Sequence, residues 1–279
     1  MFHGAPRDMK GEKSMKITHD FHVHTNLSLC AKPTATLEGY LETAKKLGLT
    51  KLGISNHFWD AAIPGANDFY VPQDYNHVAS LRPAIEKADV PGLRVYFGCE
   101  CEYDPWRHGV ACTEEVAERF EYMLVPNSHT HMMMPKEYYH PYEKHAEFML
   151  AAFEEIVDCP LSKYVTAMAH PFEAVACPYD NEILIDLIPD DRYRRLFAKA
   201  AGKGIAFEIN ISSMVKKTPE EVEKASVIRL FRLAKEEGCK FLFGSDIHNV
   251  PENLAPFKNA ELVADLLGLT EEDLAPIAR

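Results

Sequence analysis

His22 and His24 stand two residues apart at the end of an apolar, β-branched run, so on an extended strand both imidazoles point the same way. The pattern recurs down the chain. His57 closes a second run, Glu100 lies in a third, and His129 and His170 close the fourth and fifth. Asp246 and His248, again two apart, close the seventh, whereas the sixth ends in Glu208 and Asn210. Imidazole and carboxylate together suit Zn, Mn or Fe. Six histidines and two carboxylates exceed the needs of one tetrahedral site, so the set implies two or three divalent ions. Such ions would lower the pKa of a bridging water and hold phosphoryl oxygens, the basis of hydrolysis by a metal-activated hydroxide. A lone strand-end histidine is usually only a hydrogen-bonding residue. The weight lies in the joint pattern.

The elements that must position these groups are seven strand candidates, 17–25, 51–58, 93–103, 122–129, 164–172, 204–212 and 240–248. Helical periodicity falls between them. Leu37, Tyr40, Leu41, Ala44 and Leu47 share a face before Gly48, and Met149, Ala152, Phe153 and Ile156 share another within 143–157. A helix beginning at 219 has Thr218 as N-cap, Pro219 at its first position, Glu221 completing a capping box and Gly238 as its stop. Weaker helical patterns cover 74–88, 182–201 and 258–267. Repeated strand–helix alternation predicts a parallel sheet. An open sheet would string the ligand-bearing ends along a line, whereas a parallel barrel gathers them at one mouth. The ligand pattern therefore favours a barrel. Two long connections, 60–73 and 130–142, are aromatic-rich and suit substrate loops or lids, the Met132–Met134 run included. Cys99 and Cys101 flank Glu100, so alternation turns them away from the site into packing roles.

The chain of 279 residues is read as a single barrel domain over 1–279, with 1–15 an irregular extension. A net charge of -12 disfavours a long nucleic acid as partner but admits a small phosphorylated substrate beside bound cations. No apolar run is long enough to span a membrane, and the N-terminus lacks a signal-peptide core, so a cytoplasmic location is expected. The seven cysteines include no CxxC pair, which suits a reducing compartment. Oligomeric state leaves no trace in the sequence.

The segments HVHTNLS, NH at 56–57, GCE at 98–100, SH at 128–129, AHP at 169–171 and GSDIH at 244–248 resemble the PHP superfamily (polymerase and histidinol phosphatase). The resemblance implies an α/β fold, a distorted TIM-like (β/α)7 barrel, with a two- or three-metal site that hydrolyses phosphoesters. It assigns His22, His24, Glu100 and Asp246 to one ion, Glu100, His129 and His170 to a second, and His57 and His248 to a third. Many members place a histidine where this chain has Cys30. Its thiolate could complete the third site, or Cys30 could be packing with that site weak or empty. In the latter case His57 and His248 could bind phosphate or protonate the leaving group. Asp246, His57 and His248 are thus the catalytic candidates. Arg107 is a candidate phosphate clamp, and Glu208 and Asn210 are candidates for substrate contact or ligand support. The expected reaction is hydrolysis of a small phosphomonoester, as in histidinol phosphatases. A nucleotide or oligonucleotide phosphoesterase is the alternative, followed by a metal-binding regulatory module. Barrels with HxH also host C–N hydrolysis, but that family usually adds a bridging barrel lysine, and Lys163 and Lys203 precede their strands.

Overall fold

The computed structural model describes residues 15–174, 181–250, 257 and 259–279, so most of the N-terminal extension lies outside it. Ten strands are present among these residues. They are β1 (His19–Asp20), β2 (Lys51–Ile54), β3 (His57–Phe58), β4 (Arg94–Cys101), β5 (Tyr103–Asp104), β6 (Gly109–Val110), β7 (Tyr122–Pro126), β8 (Ala167–Ala169), β9 (Ala206–Asn210) and β10 (Phe241–Gly244). The main sheet is parallel in the order β1-β2-β4-β7-β8-β9-β10, with β3 continuing the line of β2 along β4. The edges meet: Phe21 N donates to Phe243 O at 3.0 Å, Asp246 N donates to His22 O at 2.7 Å, and Val23 bridges Ile247 in parallel. Seven staves therefore close into a distorted barrel with helices in the connections, an α/β fold of TIM-like type.

All seven strand candidates form, but shorter than their apolar runs. The ladder stops at Asp20, Pro126, Ala169 and Gly244, just before His22, His129, His170 and Asp246. Side chains at a barrel mouth need loop geometry to converge, so these four leave the ladder, whereas His57 and Glu100 stay in it as a pair of β3 and β4. Two of the four show this in the backbone: His170 has φ +28° and Asp246 φ +52°, the left-handed region that non-glycine residues seldom occupy.

Helices Leu37–Leu47 and Tyr142–Asp158 follow their patterns, and the latter buries Met149, Ala152, Phe153 and Ile156. The capping box at Thr218 and Glu221 is present, but the expected single helix is two, Pro219–Lys224 and Ser226–Glu236. The break has a tertiary cause: Ser226 N donates to Glu182 Oε2 at 2.5 Å, so the second helix takes its cap from another element. The 182–201 pattern likewise divides at Pro189, and 74–88 divides before Arg82–Glu86, which carries Pro83 in its first turn.

Inside the barrel Tyr122 lies across Gly98 of β4, where an added Cβ would fall into its ring. Its hydroxyl donates to Phe21 O at 3.0 Å. Phe153, Phe172, Phe197 and Phe207, all fully buried, pack the helix Tyr142–Asp158 against the sheet. Cys99 and Cys101 belong to this apolar packing, as alternation predicts.

Candidate metal centre

Eleven of the twelve residues singled out from the sequence meet at or against the C-terminal mouth. Glu100 on β4 lies at the middle. Its Oε1 is 3.0 Å from His170 Nε2 and 3.4 Å from His129 Nε2. Its Oε2 is 2.9 Å from His57 Nδ1 and 3.5 Å from both His22 Nε2 and His24 Nε2. Asp246 Oδ1 is 3.5 Å from His22 Nε2 and 3.4 Å from His24 Nε2. The His248 ring stacks on His24 at 4.2 Å. Four overlapping trios bring one donor atom each within 4.8 Å: His22–His24–Asp246, His22–Glu100–His170, His57–Glu100–His129 and His24–His57–His248.

The outer faces of the rings decide what the inner faces can do. His22 Nδ1 lies 2.7 Å from Glu208 Oε1, and His129 Nδ1 lies 2.8 Å from Glu102 Oε2. A carboxylate only accepts, so each of these nitrogens carries the proton. Ser28 Oγ, 3.1 Å from His24 Nδ1, already spends its hydrogen on Asn56 Oδ1, and therefore accepts from His24. Ser128 Oγ donates to His170 O at 3.0 Å, and accepts from His170 Nδ1 at 2.6 Å. His248 Nδ1 donates to the carbonyl of Asp246 at 2.9 Å. Five imidazoles thus have their Nδ1–H fixed by an acceptor, which leaves the Nε2 lone pair for the centre.

This donor set fits divalent cations. His22 Nε2 and His24 Nε2 face each other at 2.9 Å, two lone pairs that need something positive between or beside them. His57 Nδ1 and Glu100 Oε2 are buried without a well-directed hydrogen-bond partner. In protein alone, protons must do that work. Burial opposes charge on His22, but Glu208, Asp246 and Glu100 outweigh it and raise its pKa well above the usual value. Burial would raise Glu100, but His129, His22 and His57 hold it well below the usual carboxylate range. His24 is pushed the other way, by burial and by the neighbouring His248 and His57.

Glu208 is fully buried; besides His22 it accepts from His170 N at 2.6 Å, so it supports ligands and has no surface for substrate. Asn210 Nδ2 is 3.4 Å from Asp246 Oδ2, also a supporting position. Arg107 is not among the residues that line the cavity over the cluster. Asp104 Oδ1 accepts from Trp106 N and Arg107 N in the β5–β6 hairpin, and the half-exposed guanidinium sits 3.7 Å from Asp104. Cys30 is exposed at the mouth and shares a cavity of about 160 Å³ with His57, Phe69, Tyr70, His129, His131, Met132, Asp246 and His248. Burial would raise the Cys30 thiol, but hydrogen bonds with His248 and His57 bring it down to about 6. Sequence reasoning assigned no role to Ser28, Asn56, Ser128, Tyr70 or Glu102. The first three stand inside the quoted motifs HVHTNLS, NH and SH, and Glu102 lies two residues past Glu100, on the same face of an extended strand.

Buried imidazoles and carboxylates at the mouth of a parallel barrel define a metal-dependent hydrolase. The chain belongs to the PHP domain family, whose model matches residues 20–212, and as a member it is a hydrolase of phosphate esters. That match ends before β10, so Asp246 and His248 join the site by geometry. Among solved structures the chain is similar to histidinol phosphate phosphatase from Lactococcus lactis subsp. lactis Il1403, complexed with Zn, L-histidinol and phosphate. The two are 16% identical, over 90% of this chain and 94% of that one, with a TM-score of 0.62, a likeness of fold. Weaker likenesses include a chain of archaeal ribonuclease P with mature tRNA (13% identity, 90% and 90% covered, TM-score 0.41). Another is A. niger ochratoxinase (11% identity, 93% and 72% covered, TM-score 0.42). No curated protein matches the sequence. No helix among the described residues is long and apolar enough to cross a membrane.

Proposed function

We propose that the chain hydrolyses a small phosphomonoester, of the size and kind of histidinol phosphate. The observation that carries this is the cavity over the cluster. At about 160 Å³ it is well below the usual range for drug-sized ligands, and no Lys or Arg is among its lining residues as described. It suits a phosphate with a compact alcohol better than a nucleotide or an oligonucleotide. The neighbour solved with L-histidinol and phosphate supports the same substrate class.

The residues placed to hold cations are His22, His24, Glu100 and Asp246 for one, Glu100, His129 and His170 for a second, and His57 and His248 with Cys30 for a third. Divalent cations bound there supply Lewis-acid stabilisation of phosphoryl oxygens and acidify water near neutral pH. Glu100 reaches five imidazoles and so ties these positions together. Glu208, Ser28, Ser128 and Glu102 hold the tautomers. Phe69 and Met132 wall the cavity against water, and His131 at its rim is the imidazole left to contact the leaving group once His57 and His248 serve as ligands.

The test is phosphate release from a panel of phosphomonoesters and nucleotides, with metal content measured on the same protein. Turnover of small phosphomonoesters that a chelator abolishes is expected, with His22→Ala and Asp246→Asn each inactive. Absence of turnover on every phosphoester after Zn or Mn loading would overturn the reading. Cys30→Ser addresses the third position by itself: loss of one bound ion is expected, and unchanged stoichiometry removes Cys30 from the ligands.

A further inference from the structure

The outer partner of His129 differs from the others in where it leads. Glu102 lies just past the end of β4, buried within the protein, and Oε2 accepts from two donors at once. One is His129 Nδ1 at 2.8 Å and the other is the hydroxyl of Tyr70. Oε1 accepts from Tyr103 N at 3.0 Å. Three donors thus converge on a carboxylate whose side-chain partners among the described residues are a candidate ligand and a loop residue.

Tyr70 belongs to the long 60–73 connection, which is pinned rather than free. Gln73, next in the same loop, is fully buried; its Oε1 accepts from Leu29 N at 3.1 Å, beside Cys30. Asn67 Nδ2 donates to Met132 O at 3.4 Å, across the mouth. Asn67 Oδ1 in turn accepts from Phe69 N at 3.0 Å and Tyr70 N at 3.1 Å. The same short stretch places Phe69 edge-on to His57 at 5.4 Å. The loop therefore touches the cavity wall and, through one carboxylate, a metal-facing imidazole.

We propose that Glu102 and Tyr70 are positioning residues for His129, and that through them the 60–73 loop sets how tightly the centre holds its cation. The physical reason is the tautomer. Glu102 can only accept, so it keeps the His129 proton on Nδ1 and the Nε2 lone pair toward Glu100. Tyr70 sharing the same oxygen fixes the carboxylate's rotation, hence the ring's. Glutamine at 102 has one oxygen for three donors, and turns an N–H toward one of them. Phenylalanine at 70 removes one donor and leaves the other two in place.

This rests on the metal-centre reading, and the experiment separates the two. Metal-free full-length protein is titrated with Zn(II) against a chromophoric chelator, without substrate, and its melting temperature is followed in parallel. Wild type that binds no Zn would end the metal-centre reading before any variant is made. With wild type binding, Glu102→Gln is expected to weaken one ion by about 10–100-fold. Glu102→Asp should restore part of that loss, and Tyr70→Phe should weaken the same ion by a smaller factor. A role confined to packing would lower the melting temperature of the metal-free protein and leave Zn affinity alone. Tyr70→Phe keeps the test open if Glu102→Gln fails to fold. Folded variants that bind every ion as wild type does would overturn the proposal.

Discussion

Gly244, the last residue of β10, offers a sharp perturbation because its missing side chain is what lets Glu208 reach His22. A methyl added there would lie 2.5 Å from His22 Cβ, 2.9 Å from Glu208 Cδ and closer still to Glu208 Oε1. Ordinary carbon contacts are about 3.5–4.0 Å, so the overlap is about 1 Å against two fully buried groups. Overpacking of that kind costs about 1–3 kcal/mol when the core absorbs it. If Glu208 swings away instead, it gives up His22 Nδ1 at 2.7 Å and His170 N at 2.6 Å. Two hydrogen bonds to a charged group cost about 3–6 kcal/mol together. Gly244→Ala is thus expected to lower unfolding free energy by roughly 1–6 kcal/mol, from the absorbed methyl at the low end to a displaced Glu208 at the high end, against the 5–15 kcal/mol typical of domains. Zn affinity should fall as well, since the His22 imidazole loses the acceptor that orients it and the backbone of His170 loses an anchor. Urea unfolding of the metal-free protein reads the first effect and chelator competition the second. Gly202→Ala is the control: nothing lies within 4 Å of its added Cβ, and in a helix alanine should gain about 0.5–1 kcal/mol. An unchanged urea midpoint and unchanged Zn affinity in Gly244→Ala would refute the close-packing argument.

Arg107→Ala should leave kcat/KM within about threefold of wild type, since the half-exposed guanidinium turns to buried Asp104 and does not line the cavity; a loss of a hundredfold would place the guanidinium on the substrate after all. His19 is buried and accepts from Phe243 N at 3.0 Å, and burial, then Lys51, lowers its pKa from 6.5 to about 3. The unfolded state takes the proton first, so this group's contribution is complete above pH 6.5 and is lost as pH falls, by about 2 kcal/mol at pH 5. Buried Asp20, its carboxyl pushed up to about 6, acts in the opposite sense, so the comparison of wild type with His19→Gln isolates the effect: the variant should show a shallower acid limb, and an equal limb would contradict it. Chelation should lower the melting temperature and Zn should restore it, by about 4 kcal/mol at a thousandfold excess over Kd; an unmoved transition would mean that the cluster holds no cation in the native state.

Strand-end ligands were legible because two constraints coincide at them. Strand alternation gives His22 and His24 one direction, and barrel topology gives six other ligand-bearing residues one destination. Elements with a local signal were legible too, such as the helix Leu37–Leu47 before Gly48 and the cap at Thr218. What stayed hidden depends on partners far along the chain. The break at Ala225 follows from Glu182, 44 residues away, and no proline or glycine marks it. Ser28 and Ser128 stand in the quoted motifs, but what they do shows only when their hydrogens are traced to Asn56 and to the carbonyl of His170. Arg107 misleads for the converse reason: it follows the right strand, but the turn built on Asp104 faces it outward.

The missing guanidinium bears on how many cations the centre holds. Glu100, Glu102, Glu208 and Asp246 place four carboxylates in or against the cluster, with formal charge of minus four. Two divalent cations cancel that and leave nothing to attract a phosphate group, itself near minus two above pH 6. A surface of the same sign, with net charge -12, adds no help at long range. The cavity lining as described offers no Lys or Arg to make up the difference. A third cation, even with Cys30 bound as thiolate, brings the centre to a net positive charge. The third position, at His57 and His248 with Cys30, is therefore the one through which electrostatics would admit the substrate, and a chain that lost it should lose substrate affinity before it lost its fold.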